Sequence, residues 1–249
     1  MEANILTEKY RMLFDHHTHT IYSHGKGTIL DNVRVAHEKG LKSIAITDHG
    51  PGNLSYGMNL KKIPDMREDI KEAKLKYPGV QVFLGVEANT IRNVPYIDVS
   101  PHNCMKLDLI LAGYHYAVLG SGMLSNRLGL RTKDLLVKNT EMITNALYYN
   151  EEVGNHIDIL THPGDKGPFD IAEIAEACEA TGTFMEINGK HPHLDVEEIR
   201  LASKFDVKFV ISSDAHRPES VGRFERQLLR AIEAGLDISR IVNICKRED

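Results

Sequence analysis

Seven short apolar runs are spaced along the chain: Leu13-Phe14 ahead of Asp15, the run LKSIAI from Leu41, Val80–Val86, Leu107–Ala112, Ile157–Leu160, Thr183–Ile187 and Val207–Ile211. Most are continuous rather than alternating, as parallel strands buried on both faces are. Between them the apolar positions change to helical spacing. Thr28–Lys39 predicts a helix with Leu30, Val33 and His37 on its stripe and Gly40 just past its end. Asp65–Tyr77 predicts a charged amphipathic helix stopped by Pro78-Gly79. A long helix is expected from Thr132 to about Glu152. Asp170 with Glu173, and Asp195 with Glu198, have the capping-box spacing that opens two more. A last helix is expected from Pro218, suited to a first turn, to about Ala234, with a short tail helix after it. Thr90–Val99 reads as a short excursion or hairpin. The loops after Gly50-Pro51-Gly52 and over Gly120–Arg131 are long, and long loops are commonly functional. Runs that alternate with helices make parallel βαβ units.

The polar residues that end these runs carry the chemistry. The first run passes into DHHTHTIYSH, with His17, His19 and His24. The others end in Asp48-His49, Glu87, His115, His162, Glu186 with Asn188, and Asp214 with His216. Side chains alternate along a strand, so Asp15, His17 and His19 are expected on one face and Phe14 and His16 on the other. In a closed α/β barrel the strand C-termini converge on one face, which holds the active site. Seven of the thirteen histidines fall at these ends, and together with Glu87 and Asp214 they exceed the needs of one ion. The donors are nitrogen and oxygen without sulfur, which suits zinc, manganese, iron or cobalt.

Composition narrows the setting. A chain of 249 residues fits one α/β barrel or two small domains. No apolar run approaches the roughly 20 residues of a membrane span, and the N-terminus lacks the pattern of a signal peptide. Cys104, Cys178 and Cys245 are odd in number and scattered, which fits a reducing, cytoplasmic setting rather than disulfides or a thiolate zinc site. A net charge of −5 is not the footprint of a general nucleic-acid binder.

In this order, DHHTHT, TDHG, GVEAN, AGYH, THPG and SSDAH resemble the motifs of the PHP (polymerase and histidinol phosphatase) family, over Asp15 to His216. The wording and length are most similar to its stand-alone bacterial branch of trinuclear-metal phosphatases. The resemblance implies a distorted seven-stranded parallel β/α barrel, TIM-like, as a single domain over residues 1–249. It implies one ion on His17, His19, Glu87 and Asp214, a second on His24, His49 and His216, and a third on Glu87, His115 and His162, with Glu87 bridging. His16 stands where family members usually carry an apolar residue, and the alternation turns it away from the metals. His37, His102, His156, His191 and His193 are expected to be structural or at the surface, the last two within possible reach of substrate.

The expected function is a metal-dependent phosphoesterase that hydrolyses small phosphate monoesters with a metal-activated hydroxide, histidinol-phosphatase-like. Two or three divalent ions are expected, zinc first, then manganese or iron. Such ions supply hydroxide at neutral pH and clamp phosphoryl oxygens. Asp214 and His216 are the candidate catalytic residues. Arg127, Arg131, Lys190 and Arg217 are candidate phosphate clamps. The alternatives are a metal-dependent nuclease and a non-catalytic metal-binding barrel. An amide-hydrolysing barrel fits less well, because such barrels look for a lysine ending strand four and this chain has His115. The partner is a small phosphate ester; no membrane is expected, nucleic acid is disfavoured, and no pattern speaks to oligomeric state.

Overall fold

The structure is a computed structural model that describes residues 3–118, 120–121 and 128–247. Helix α1 (Ala3–Lys9) and a short strand β1 (Tyr10–Met12) lead into one sheet of seven parallel strands in chain order. These are β2 (Phe14–Asp15), β3 (Ser43–Ile46), β4 (Gln81–Asn89), β5 (Leu109–Gly113), β6 (Ile159–Leu160), β7 (Phe184–Asn188) and β8 (Phe209–Ser212). Helices α2 (Ile29–Glu38), α3 (Ile63–Lys76), α4 (Pro101–Cys104), α5 (Lys133–Glu152), α6 (Ile171–Thr181), α7 (Val196–Ala202) and α8 (Glu225–Glu233) lie between and after them. The expected seven-stranded β/α barrel is the observed fold. No helix among the described residues is long and apolar enough to cross a membrane.

The strands sort their side chains by alternation. Ile44, Ile46, Leu84, Val86, Ile110, Met185, Ile187 and Ile211 face the helices and join the main core. Ala45, Leu109, Leu111, Ile159 and Val210 pack inside the barrel, with Phe14, Phe83 and Phe184 against them. Each of these side chains larger than alanine contributes about 1.5–3 kcal/mol on full burial. This apolar plug fills the barrel below its C-terminal end, so the inward positions further along the strands form a floor for the polar site.

Helix ends follow some of the sequence signals and depart from others. Thr28 and Asp31 form a reciprocal capping box on α2, as Asp195 and Glu198 do on α7. Asp170 accepts from the amides of Ala172 and Glu173, but Glu173 does not return the bond. The expected helix from Pro218 to Ala234 is broken: a 3-10 turn at Pro218–Ser220 precedes α8, with Gly222 at φ 70° between them. The tail holds a 3-10 turn at Ile238–Arg240 and then a strand, β9 (Ile244–Lys246), antiparallel to β1. Thr90 and Ile97 pair across an antiparallel bridge, in keeping with the hairpin reading of that segment.

Seven strands leave a seam between β8 and β2, and two devices close it. Near the mouth, Thr18 bridges to Ala215, with His19 N donating to Ala215 O at 2.8 Å. Lower down the tail lies in the gap. Val242 N donates to Phe209 O and Leu13 N donates to Asn243 O. Asn243, fully buried, accepts from Ile211 N at 3.0 Å and donates to the carbonyls of Phe14 and Ile211. Asn243→Ala orphans several buried backbone groups at once and is expected to destabilise the protein by roughly 2 kcal/mol or more. Urea unfolding checks this; a change within about 0.5 kcal/mol, the range of ordinary surface substitutions, would show that the seam does not depend on this side chain.

Candidate metal centre

Glu87 is the inward residue near the end of β4 and is 1 % exposed. Its Oε1 lies 3.3 Å from His17 Nε2, 3.2 Å from His115 Nε2 and 3.0 Å from His162 Nε2. Its Oε2 lies 2.9 Å from His49 Nδ1 and 3.5 Å from His19 Nε2. Asp214 Oδ1 lies 3.2 Å from His19 Nε2, 3.7 Å from His17 Nε2 and 3.2 Å from His216 Nδ1. Six strand ends and the loops just beyond them therefore deliver their donors to one point.

The donors fall into overlapping sets. His17, His19 and Asp214 present ligand atoms within 4.8 Å of one another, as do His49, Glu87 and His115. The third such set is His19, His49 and His216; the resemblance implied His24 in place of His19. His24 still walls that position, its ring 4.9 Å from His49 and 4.2 Å from His216, with Tyr56 4.2 Å away on it. His162 reaches the centre through Glu87.

The donor chemistry fits divalent ions. Buried Nδ1 atoms of His19, His24, His115 and His162 have no hydrogen-bond partner among the described residues. Groups so placed need cations or protons. Burial opposes protonation of the imidazoles: it holds His19 and His162 well below the ordinary histidine range, His115 at about 4 and His24 at about 3. Burial alone would raise Glu87 and Asp214, yet facing imidazoles hold both well below the usual carboxylate range. Neutral imidazoles and ionised carboxylates are the ligand forms. His17 is the exception. Burial lowers it, but Glu186, Glu87 and Asp214 together raise it well above 6.5.

Backbone geometry serves the same cluster. His162 has φ 31° and Asp214 has φ 50°, left-handed conformations that non-glycine residues rarely adopt and that gather at functional sites. Gly113 is the inward position at the end of β5. A Cβ there would meet Thr161 Oγ1 at 2.1 Å and crowd the rings of His162 and His115.

A second layer orients the donors. Glu186 Oε1 sits 2.6 Å from His17 Nδ1, and its Oε2 accepts from His162 N and Asn188 Nδ2, each at 2.8 Å. Asp48 accepts from Thr20 N, Thr20 Oγ1 and Ser23 Oγ, locking the loop that carries His19 and His24. Phe184, Glu186 and Asn188 are alternate positions of β7. That period-2 pattern, at a residue already seen at a strand end, was the signal that Glu186 belongs inside. Partners of ligating histidines typically matter by about 10–100-fold in metal affinity or activity. Glu186→Gln keeps an acceptor for His17 and loses the charge, so a loss of that order is expected, read by competitive metal titration; unchanged affinity and unchanged activity would make Glu186 a packing residue only.

The face argument for the first strand needs correction in one respect. Regular strand ends at Asp15, which turns outward and accepts from Ser213 N, Ser213 Oγ and Gly222 N. It does not share a face with His17 and His19. His16 does point away from the donors, but into the barrel at a lower level. It stacks on Phe14 at 4.2 Å, meets Phe83 edge-on and hydrogen-bonds Ser43 Oγ at 2.9 Å. His16 and His17 both lie inside, separated along the barrel axis, because alternation lapses where the strand stops.

Among the expected phosphate clamps, Lys190 is at the centre, its Nζ 3.0 Å from His216 Nε2. Arg217 lines a neighbouring cavity. Arg131 is exposed and donates to Leu130 O, and Arg127 lies outside the described residues. His191 joins the site: its Nδ1 is 2.9 Å from Asp165 Oδ2 and its Nε2 3.5 Å from Asp214 Oδ2. His193 instead bonds Glu198, and His37 and His156 lie against Tyr77 and Glu151. Lys166 and Tyr56 line the cavity and were not anticipated; both come from loops, where no periodicity marks a side chain's direction. The cavity over the donors measures about 130 Å³.

A family model described as PHP domain matches residues 15–190. The chain belongs to the PHP domain family. It is 32% identical over 248 residues to a "Probable phosphatase" of Thermoanaerobacter sp. (strain X514), covering 94% of this chain and 91% of that one. It is 33% identical over 240 residues to a "Probable phosphatase" of Caldanaerobacter subterraneus subsp. tengcongensis, covering 90% and 84%. Among solved structures, histidinol phosphate phosphatase from Lactococcus lactis, complexed with zinc, L-histidinol and phosphate, superposes with a TM-score of 0.60 at 16% identity, over 91% of this PHP chain and 95% of that one. That likeness is one of fold.

Proposed function

We propose that this protein, a metal-dependent phosphatase of the PHP domain family, hydrolyses small phosphate monoesters on two or three divalent ions held at the barrel mouth. The observation that carries the reading is Glu87, one buried carboxylate within 2.9–3.5 Å of five imidazole nitrogens. That is more donors than one four-coordinate ion uses, so the set would suit more than one ion. His17, His19, His49, His115, His162, Asp214 and His216 would hold the ions with it, and His24 would flank the set. Zinc is the first choice, as the ion of the Lactococcus lactis complex, with manganese or iron next. Bound ions of this kind lower the pKa of water and polarise a phosphoryl group.

The chain's own side chains supply the rest. Lys190 at His216, and Lys166 at the cavity wall, are placed to bind phosphoryl oxygens. Asp214 is held ionised, so its part is to compensate positive charge. Proton delivery to the leaving alkoxide falls to an imidazole at the mouth. His191, which is outside the ion-holding set, is placed for it: Asp165 orients the ring with its Nε2 toward Asp214. Histidinol phosphate is one candidate among small esters, by likeness to the named structural neighbour. Free Cys104, Cys178 and Cys245 suit a cytoplasmic setting.

Metal-stripped protein reloaded separately with zinc, manganese and iron is expected to hold more than one ion per chain by elemental analysis. The loaded forms are expected to release phosphate from p-nitrophenyl phosphate and from members of a metabolite panel, and chelation to abolish release. One ion or fewer per chain after saturation would remove the multinuclear site. Loading without turnover of any ester would favour the non-catalytic reading.

A further inference from the structure

We infer that the substrate carries a second anionic group, a carboxylate or a phosphate, seated in an arginine-lined cavity beside the metal centre; this rests on the phosphatase reading above. The cavity over the donors, about 130 Å³, is smaller than the roughly 300–1,000 Å³ of sites that enclose small ligands. It accommodates a reacting phosphoryl group and little of the molecule attached to it. A second cavity of about 500 Å³ shares Lys190, Asp214 and His216 with the first. The body of a substrate therefore has room on that side, next to the scissile group.

The second cavity has a marked charge. Its wall brings together Arg217, Arg223 and Arg226, from the segment after β8 and the first turn of α8, with Lys190 at the seam. Besides Asp214, Glu225 places a carboxylate on the same wall, and its Oε2 accepts from Phe224 N at the start of its own helix. Arg223 donates through Nε to Glu219 O at 3.2 Å. No hydrogen bond or ion pair engages the Arg217 or Arg226 guanidinium among the described residues. A chain of net charge −5 has thus gathered three guanidiniums about one hollow beside its reactive centre. Planar, always-charged forks of this kind match carboxylate and phosphate oxygens bidentately. They are exposed, so their pull is expected to weaken as salt rises.

The test compares matched substrates on the metal-loaded protein: glycerol 3-phosphate with 3-phosphoglycerate, and fructose 6-phosphate with fructose 1,6-bisphosphate. Wild type is expected to favour the doubly anionic member of at least one pair by roughly tenfold or more in kcat/KM. The double variant Arg223→Ala, Arg226→Ala is expected to bring that ratio close to one, and Arg226→Glu to invert it. Preference within the first pair alone assigns a carboxylate, and within the second alone a phosphate. Equal use of both members in both pairs, or a preference that survives the double substitution, overturns the inference and leaves the phosphatase reading standing. Wild type that cleaves none of the four, nor p-nitrophenyl phosphate, overturns both.

Discussion

Glu87→Gln is expected to purify with fewer ions per chain than wild type and to lose activity by roughly 100-fold or more, the scale on which one charged group acts in a transition state. The side chain is fully enclosed and its two oxygens face His17, His115 and His162 on one side and His19 and His49 on the other. Glutamine keeps the shape and one oxygen. It removes the charge that compensates adjacent cations, and it turns an amide toward neutral imidazole nitrogens that would bind metal. The barrel is held by apolar residues of β3–β8 and the helices around them, so circular dichroism is expected to remain native. A variant with wild-type ion content and turnover would remove Glu87 from the centre and leave Asp214 as the carboxylate facing His17, His19 and His216.

The second large effect separates neighbours. His17→Ala is expected to abolish nearly all activity and to lower metal content. His17 Nε2 faces Glu87 and Asp214, and Nδ1 is held by Glu186, so truncation also leaves that buried carboxylate without its partner. His16→Leu is expected to keep activity within about twofold, since side chains away from the reacting groups seldom alter the barrier directly. His16 packs against Phe14 and Phe83, and burial holds it neutral, down to about 4. Leucine fills that space at the loss of one hydrogen bond to Ser43. Parallel kinetics and metal analysis of the two variants decide the matter. If His16→Leu proves as damaging as His17→Ala, the separation of the two rings along the barrel axis has no functional meaning.

Strand count, strand order and the location of the site were legible because parallel barrels impose them. A strand covered on both faces must be an apolar run, and its end must turn polar where the barrel opens. Seven runs ending in His, Asp or Glu therefore place His17, Glu87, His115, His162 and Asp214 at one mouth before any contact is known. Local chemistry at helix starts was equally readable, since a cap involves residues three apart: Asp195 with Glu198 closes its box as written.

What the tertiary structure decided depends on contacts between residues far apart in the chain. Glu186 reaches His17 across 169 positions, and Asn243 closes the seam at Phe14 across 229. His191 enters the site because Asp165 of another loop holds its ring. Periodicity can turn such a side chain inward, as it does Glu186, but it does not say which distant residue it meets. The inward turn of both His16 and His17 has the same origin. Period-2 alternation holds only while the ladder continues, and β2 is paired with β3 for two residues. Past Asp15 the backbone follows bonds to Ala45, Thr47 and Ala215 instead, and those neighbours, which the local sequence does not contain, set the direction of the histidines that the chemistry needs.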